Sequence, residues 1–123
     1  MLSSMTPTIV EDQNGELYMV LGTPGGSTII TTVAQIVMNV IDFNMTLKEA
    51  IETKRFHHQW FPDLIQIEPR TLSTETISTL QSMNHSIRTR SSIGDANCIL
   101  INSETNLLYG VPDSRRGGYS LAY

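Results

Sequence analysis

Two short segments hold the residue types with the most chemical potential: Ser3-Ser4-Met5 near the start and Thr23-Pro24-Gly25-Gly26-Ser27 further along. Small hydroxyls can hold a carboxylate. A glycine pair can aim bare backbone N–H groups at an oxygen on which negative charge develops. Together the segments read as two halves of one site for an anionic, carbonyl-bearing substrate. Three readings of the glycine pair stand open: an oxyanion hole for acyl transfer, a cradle for phosphate, or a tight turn that needs two permissive residues. The phosphate version lacks the Gly-Lys-Ser/Thr ending that supplies a lysine and a metal-binding hydroxyl. Taken alone, Ser3 and Ser4 are what a solvated turn or strand start contains, and no Ser-His-Asp setting marks either as a nucleophile.

The remaining candidates point to structure. His57-His58 invites a zinc reading, but adjacent side chains diverge on a helix or a strand, and neither a His-Glu-x-x-His spacing nor a neighbouring cysteine supports it. Phe56 to Phe61 is expected to be a packed aromatic segment with locally bonded polar edges. Cys98, within Cys98-Ile99-Leu100-Ile101, reads as a small hydrophobe on a buried strand. Asp95, Asp113 and Arg115 fall in loops, and Asp113-Ser114-Arg115 is expected to close a local salt-bridged turn.

The elements that must position these residues follow from patterning. Thr8 to Val10 and Glu16 to Leu21 form two strands joined at Asp12-Gln13-Asn14-Gly15, where Asn-Gly signals a hairpin. Both alternating sets of the second strand are apolar, so it is expected to be covered on both sides. Gly22 to Gly26 is a loop. Ser27 or Thr28 is expected to cap a helix running to about Phe43, with Ile29, Val33, Ile36, Val37 and Val40 inward and Thr28, Thr32, Gln35, Asn39 and Asp42 opposite. Thr46 and Glu49 make a capping box for a second helix ending near Lys54 or Arg55. Leu64 to Glu68 is a strand, and Ser73 to Met83 a third helix with Ile77 and Leu80 inward. Ser86 to Arg90, Cys98 to Asn102 and Leu107 to Val111 are strands. The expected fold class is α/β (α+β), a mainly antiparallel sheet with helices packed on it.

Composition bounds the partners. The 123 residues suffice for one domain or part of one, and 40% apolar with 16% charged residues is ordinary for a globular protein. A net charge of −4 gives no electrostatic reason to bind nucleic acid. The most apolar stretch, Ile29 to Ile41, is interrupted by Thr31, Thr32, Gln35 and Asn39, so no membrane segment is expected. One cysteine permits no internal disulfide. There is no signal-peptide pattern, no internal repeat and no linker.

Several blocks in order resemble one family. Leu2 to Val10, Gly22-Thr23-Pro24-Gly25-Gly26-Ser27 with Ile29 to Val33, Arg55-Phe56-His57-His58-Gln59-Trp60, and Tyr109-Gly110 through Asp113-Ser114-Arg115 to Gly117-Gly118 and Tyr123 are similar to the C-terminal part of γ-glutamyltranspeptidases (glutathione hydrolases). The resemblance implies an N-terminal nucleophile hydrolase with an αββα sandwich, cut into a large and a small subunit, whose new N-terminal threonine attacks γ-glutamyl amides. It implies that Ser3 and Ser4 bind the α-carboxylate of the γ-glutamyl group and that Gly25 and Gly26 donate N–H groups to the oxyanion. The γ-glutamyl group would then pass to water or to an amino acid or peptide acceptor. No cofactor and no metal is expected.

No segment here resembles the threonine-led start of the small subunit, and Ala122 stands where the family more often has glycine. Residues 1–123 are therefore expected to be a C-terminal segment of the small-subunit domain. Partners would be a glutathione-like substrate, the large subunit, the N-terminal part of the small subunit and, for the segment alone, further copies of itself. Met1 would be internal or introduced, and any export signal for the periplasm, cell surface or exterior would lie upstream. The rival expectation is a non-catalytic remnant that binds a small carboxylate or a partner chain.

Overall fold

The hairpin expected at Asn14-Gly15 forms because Asp12 organises its turn. The Asp12 carboxylate accepts the N–H groups of Asn14 (2.8 Å) and Glu16 (2.9 Å), and Gly15 takes the positive φ of 81° that the turn requires. These bonds, that from Glu16 first, hold the Asp12 carboxyl below its ordinary pKa. The structure, a computed structural model, describes residues 5–121. Ser3 and Ser4, with Ala122 and Tyr123, lie outside them.

In chain order the elements are β1 (Thr8–Glu11), β2 (Leu17–Gly22), α1 (Ile29–Ile41), α2 (Leu47–Glu52), β3 (Phe56–His57), β4 (Ile65–Ile67), α3 (Thr74–Ser82), β5 (Ile87–Thr89), β6 (Asn97–Ile101) and β7 (Leu108–Pro112), with short 3-10 turns at Gly26–Thr28 and Ser114–Arg116. They fall into two units, Met1–Thr53 with Gly94–Tyr123, and Lys54–Ile93. This is a mixed α+β chain, and among the described residues all strand pairs but one are antiparallel.

The first unit is a four-stranded antiparallel sheet in the order β1-β2-β6-β7, with α1 and α2 on one face. Met19 and Leu21 of β2 and Cys98 of β6 meet Ile29, Val33, Ile36 and Val40 of α1 and Leu47, Ala50 and Ile51 of α2. Each large apolar side chain so buried contributes about 1.5–3 kcal/mol. The covering of β2 differs from the expectation: Leu17 is exposed, Tyr18 packs half-buried against this same core where the β1–β2 register shifts, and on the other face Val20 is only half-buried. Beside Val20 on that face, Ile9 and Ile99 are also exposed.

Helix α1 presents its faces differently from its apolar spacing. Thr28 and Thr32, expected toward solvent, are buried, while Ile30, Ala34, Met38 and Ile41 are exposed. For Thr32 the cause is Gly94. A Cβ there would stand 2.8 Å from Thr32 Oγ1, so the 94–96 backbone lies directly against the threonine side of the helix. Thr32 Oγ1 has no hydrogen-bond partner among the described residues. Thr32→Val keeps the shape and removes an unsatisfied hydroxyl, so stability should hold or rise by up to about 1 kcal/mol. Urea unfolding checks this, and a loss of that size would show that the hydroxyl is bonded after all.

Helix α2 starts at the expected capping box: Glu49 N–H donates to Thr46 Oγ1, and Thr46 N–H to the Glu49 carboxylate. The Thr46 hydroxyl and N–H hold the Glu49 carboxyl below its ordinary pKa. It stops at Glu52, short of the expected end, because Arg115 takes up its last carbonyls, Ile51 O at 2.8 Å and Thr53 O at 2.9 Å.

In the second unit β3 pairs antiparallel with β4, and β4 parallel with β5. Glu68 ties its two ends, accepting the N–H groups of Arg55 (3.0 Å) and Ile93 (2.8 Å). Helix α3 is capped by Ser73, with Ile77 and Leu80 half-buried. The packed aromatic segment is not what forms: Trp60 is 85% and Phe61 77% exposed, and of the group only His57 is fully buried. The polar side chains close the turn themselves. His58 Nδ1 accepts the Trp60 N–H and Gln59 Nε2 donates to Phe61 O, which leaves both rings facing outward.

Candidate functional site

Strand β2 ends at Gly22, and Thr23 turns the chain toward α1. The Thr23 N–H donates to Met5 O at 3.1 Å, so the residue that follows Ser3-Ser4 lies beside the start of the glycine loop. Ser3 and Ser4 themselves are outside the described residues. Thr23 is fully buried; its hydroxyl donates to Pro24 O (2.8 Å) and accepts the Asp95 N–H (2.9 Å).

Gly25 then adopts φ 149°, ψ 5°, and Gly26 φ 59°, both in regions that glycine alone enters readily. A Cβ on Gly25 would stand 2.5 Å from Thr28 Oγ1, whereas one on Gly26 would meet nothing within 4 Å. Gly25, Gly26 and Ser27 are exposed, between a buried threonine and a buried helix start. The expected cap is not made by the Thr28 side chain. A 3-10 turn precedes α1 instead, and Thr28 donates both its N–H (3.2 Å) and its hydroxyl (3.0 Å) to Gly25 O. The N–H groups of Gly25 and Gly26 have no acceptor among the described residues. Two N–H groups on exposed residues just ahead of a 13-residue helix, at the positive end of its dipole, can receive a negatively charged oxygen.

The other candidates lie elsewhere. His57 Nε2 bonds Gln59 Oε1 at 2.9 Å and His58 Nε2 meets Asp63 Oδ1 at 3.2 Å, so the adjacent rings serve different partners. Cys98 is buried in the sheet. The Asp113–Arg115 turn forms at 3.0 Å and reaches further than expected, since Asp113 Oδ2 also accepts the Ala96 N–H at 2.9 Å. Asp113 is thereby linked through residues 95 and 96 to the rear of the glycine loop. Sequence reading did not bring Thr23, Thr28, Gly94 and Asp95 together. The available signal was Gly94, a glycine in a loop just ahead of a buried strand, which marks a close backbone approach.

The family profile described as Gamma-glutamyltranspeptidase matches residues 1–123. The chain belongs to the γ-glutamyltranspeptidase family. It is 40% identical over 114 residues to the glutathione hydrolase proenzyme of Escherichia coli strain K12, which covers 93% of this chain and 19% of that protein. The Pseudomonas sp. strain A14 proenzyme is 39% identical, over 99% of this chain and 23% of its own length. The chain thus spans about a fifth of these curated relatives. Among solved γ-glutamyltranspeptidases, a mutant of the Helicobacter pylori protein superposes with TM-score 0.87 at 44% identity, covering 94% of this chain and 62% of that one. The Pseudomonas nitroreducens protein complexed with L-DON superposes with TM-score 0.89 at 35% identity, covering 100% and 64%. The mixed α+β fold is therefore that of γ-glutamyltranspeptidases, which makes this part of an Ntn-hydrolase sandwich.

Proposed function

We propose that this chain is the C-terminal segment of a γ-glutamyltranspeptidase small subunit. In this reading it supplies the oxyanion hole, Gly25 and Gly26, and the serine half of the carboxylate site, Ser3 and Ser4. The donor is glutathione or a related γ-glutamyl amide. A threonine outside this sequence attacks the γ-carbonyl, the carbonyl oxygen takes up negative charge, and the two glycine N–H groups stabilise it. Expulsion of the amine leaves an acyl-threonine that water or an amino acid or peptide acceptor resolves.

One observation carries the reading: Gly25 and Gly26 are exposed beside the α1 N-terminus, and their N–H groups have no acceptor among the described residues. The Met5 carbonyl on Thr23 supports pairing Ser3-Ser4 with this loop. Exposed Ile9 and Ile99 on the sheet face without helices support packing against further protein, as a sandwich requires.

The chain on its own should not turn over. Incubated with a γ-glutamyl anilide, the pure 123-residue protein should release no aniline above background. Sustained release would contradict an external nucleophile. Tight carboxylate binding without turnover, even when the rest of a hydrolase is supplied, would favour the non-catalytic remnant.

A further inference from the structure

An oxyanion hole is only as good as the aim of its donors, and a peptide N–H is aimed by its own carbonyl. The peptide unit is planar and trans, so fixing the C=O of residue i fixes the direction of the N–H of residue i+1. The Gly25 N–H belongs to the same peptide as Pro24 O, and the Gly26 N–H to the same peptide as Gly25 O. Each of these two carbonyls accepts a buried threonine hydroxyl: Thr23 Oγ1 on Pro24 O at 2.8 Å and Thr28 Oγ1 on Gly25 O at 3.0 Å. The threonines are 0% and 2% exposed, so the donor side of each bond is shielded from water.

From this geometry we infer that Thr23 and Thr28 are positioning residues for the Gly25–Gly26 donor pair, each orienting one N–H by holding the carbonyl of its peptide. The inference rests on the oxyanion reading of the glycines. Thr23 is itself held from behind, because its oxygen accepts the Asp95 N–H at 2.9 Å. Gly94 allows that approach; a Cβ there would lie 3.0 Å from Thr23 Oγ1. A donor hydroxyl on each carbonyl also polarises the peptide and makes its N–H a better donor. Thr32 supplies an internal contrast, being equally buried and one turn further along α1, with no carbonyl in its grip.

The test uses the full-length hydrolase that carries this segment, with a γ-glutamyl anilide as donor. Thr23→Val and Thr28→Val remove only the hydroxyls. Each should lower kcat roughly tenfold to a hundredfold with KM within about twofold, because the misaimed donor matters most in the transition state. Thr23→Ser and Thr28→Ser should restore most of kcat, and Thr32→Val should leave it unchanged. If a valine variant does not fold, the alanine variant at the same position carries the same expectation for the split between kcat and KM. Unchanged kcat in the threonine variants, while Gly25→Ala is impaired, would overturn the inference and leave the oxyanion reading standing. Unchanged kcat in Gly25→Ala as well would remove the reading on which it rests. Serine variants as slow as the valine ones would also overturn it, since the hydroxyl would not be the cause.

Discussion

Gly25→Ala in the complete enzyme should lower kcat by about 100- to 1000-fold, the cost of losing one oxyanion donor, with little change in KM. Two effects combine. At φ 149° a side chain is strained, and its Cβ would sit 2.5 Å from Thr28 Oγ1, the group that holds Gly25 O. Thr28 is buried and bonded to Gly25 O, so either that bond or the loop backbone must give, and the proposed donors lose their aim. Gly26→Ala provides the contrast. Its φ of 59° lies in the left-handed region, where an alanine costs about 1–2 kcal/mol, and its Cβ meets nothing within 4 Å. Its N–H survives, so it should lose some stability and much less kcat than Gly25→Ala. The reverse ranking, or effects confined to KM, would sink the donor assignment.

Asp113→Ala should cost about 3–5 kcal/mol of stability, as removing one partner of a buried ion pair does. Asp113 has a fully buried side chain and Arg115 one only 7% exposed. Without the carboxylate, Arg115 keeps its bonds to Ile51 O and Thr53 O but loses this ion pair, and the Ala96 N–H loses its acceptor. The loss is a large part of the 5–15 kcal/mol that holds a typical domain together. Arg115→Lys should fall between wild type and Asp113→Ala, because one ammonium cannot span two carbonyls and a carboxylate in the guanidinium's fork. Equilibrium denaturation in urea measures both. A loss under about 1 kcal/mol for Asp113→Ala would mean that the pair is balanced by its own desolvation.

Local signals made much of the fold legible. The turn chemistry of Asp12 to Gly15, the Thr46–Glu49 capping box and the Ser73 cap each act within a few residues, so the sequence states them directly. The apolar stripe of α1 gave Ile29, Val33, Ile36 and Val40 correctly. It misplaced Thr32, whose burial depends on a glycine at position 94 that no periodicity within α1 reports, and Thr28, which folds back onto Gly25 O. Trp60 and Phe61 misled for the opposite reason: aromatic content suggested burial, while His58 and Gln59 close a turn that faces the rings outward. At the candidate site the glycine pair was visible from composition and order. The threonines that hold its carbonyls were not, since Thr23 and Thr28 look like ordinary loop and cap residues until the peptide planes are seen.

The central claim is that Gly25 and Gly26 hold a developing oxyanion. Its most direct test is a crystal structure of the complete enzyme with a γ-glutamyl phosphonate or boronate that forms a tetrahedral adduct. Both glycine nitrogens should lie about 2.7–3.1 Å from one adduct oxygen. An adduct oxygen directed at water or another side chain, with both N–H groups turned away, would contradict the account.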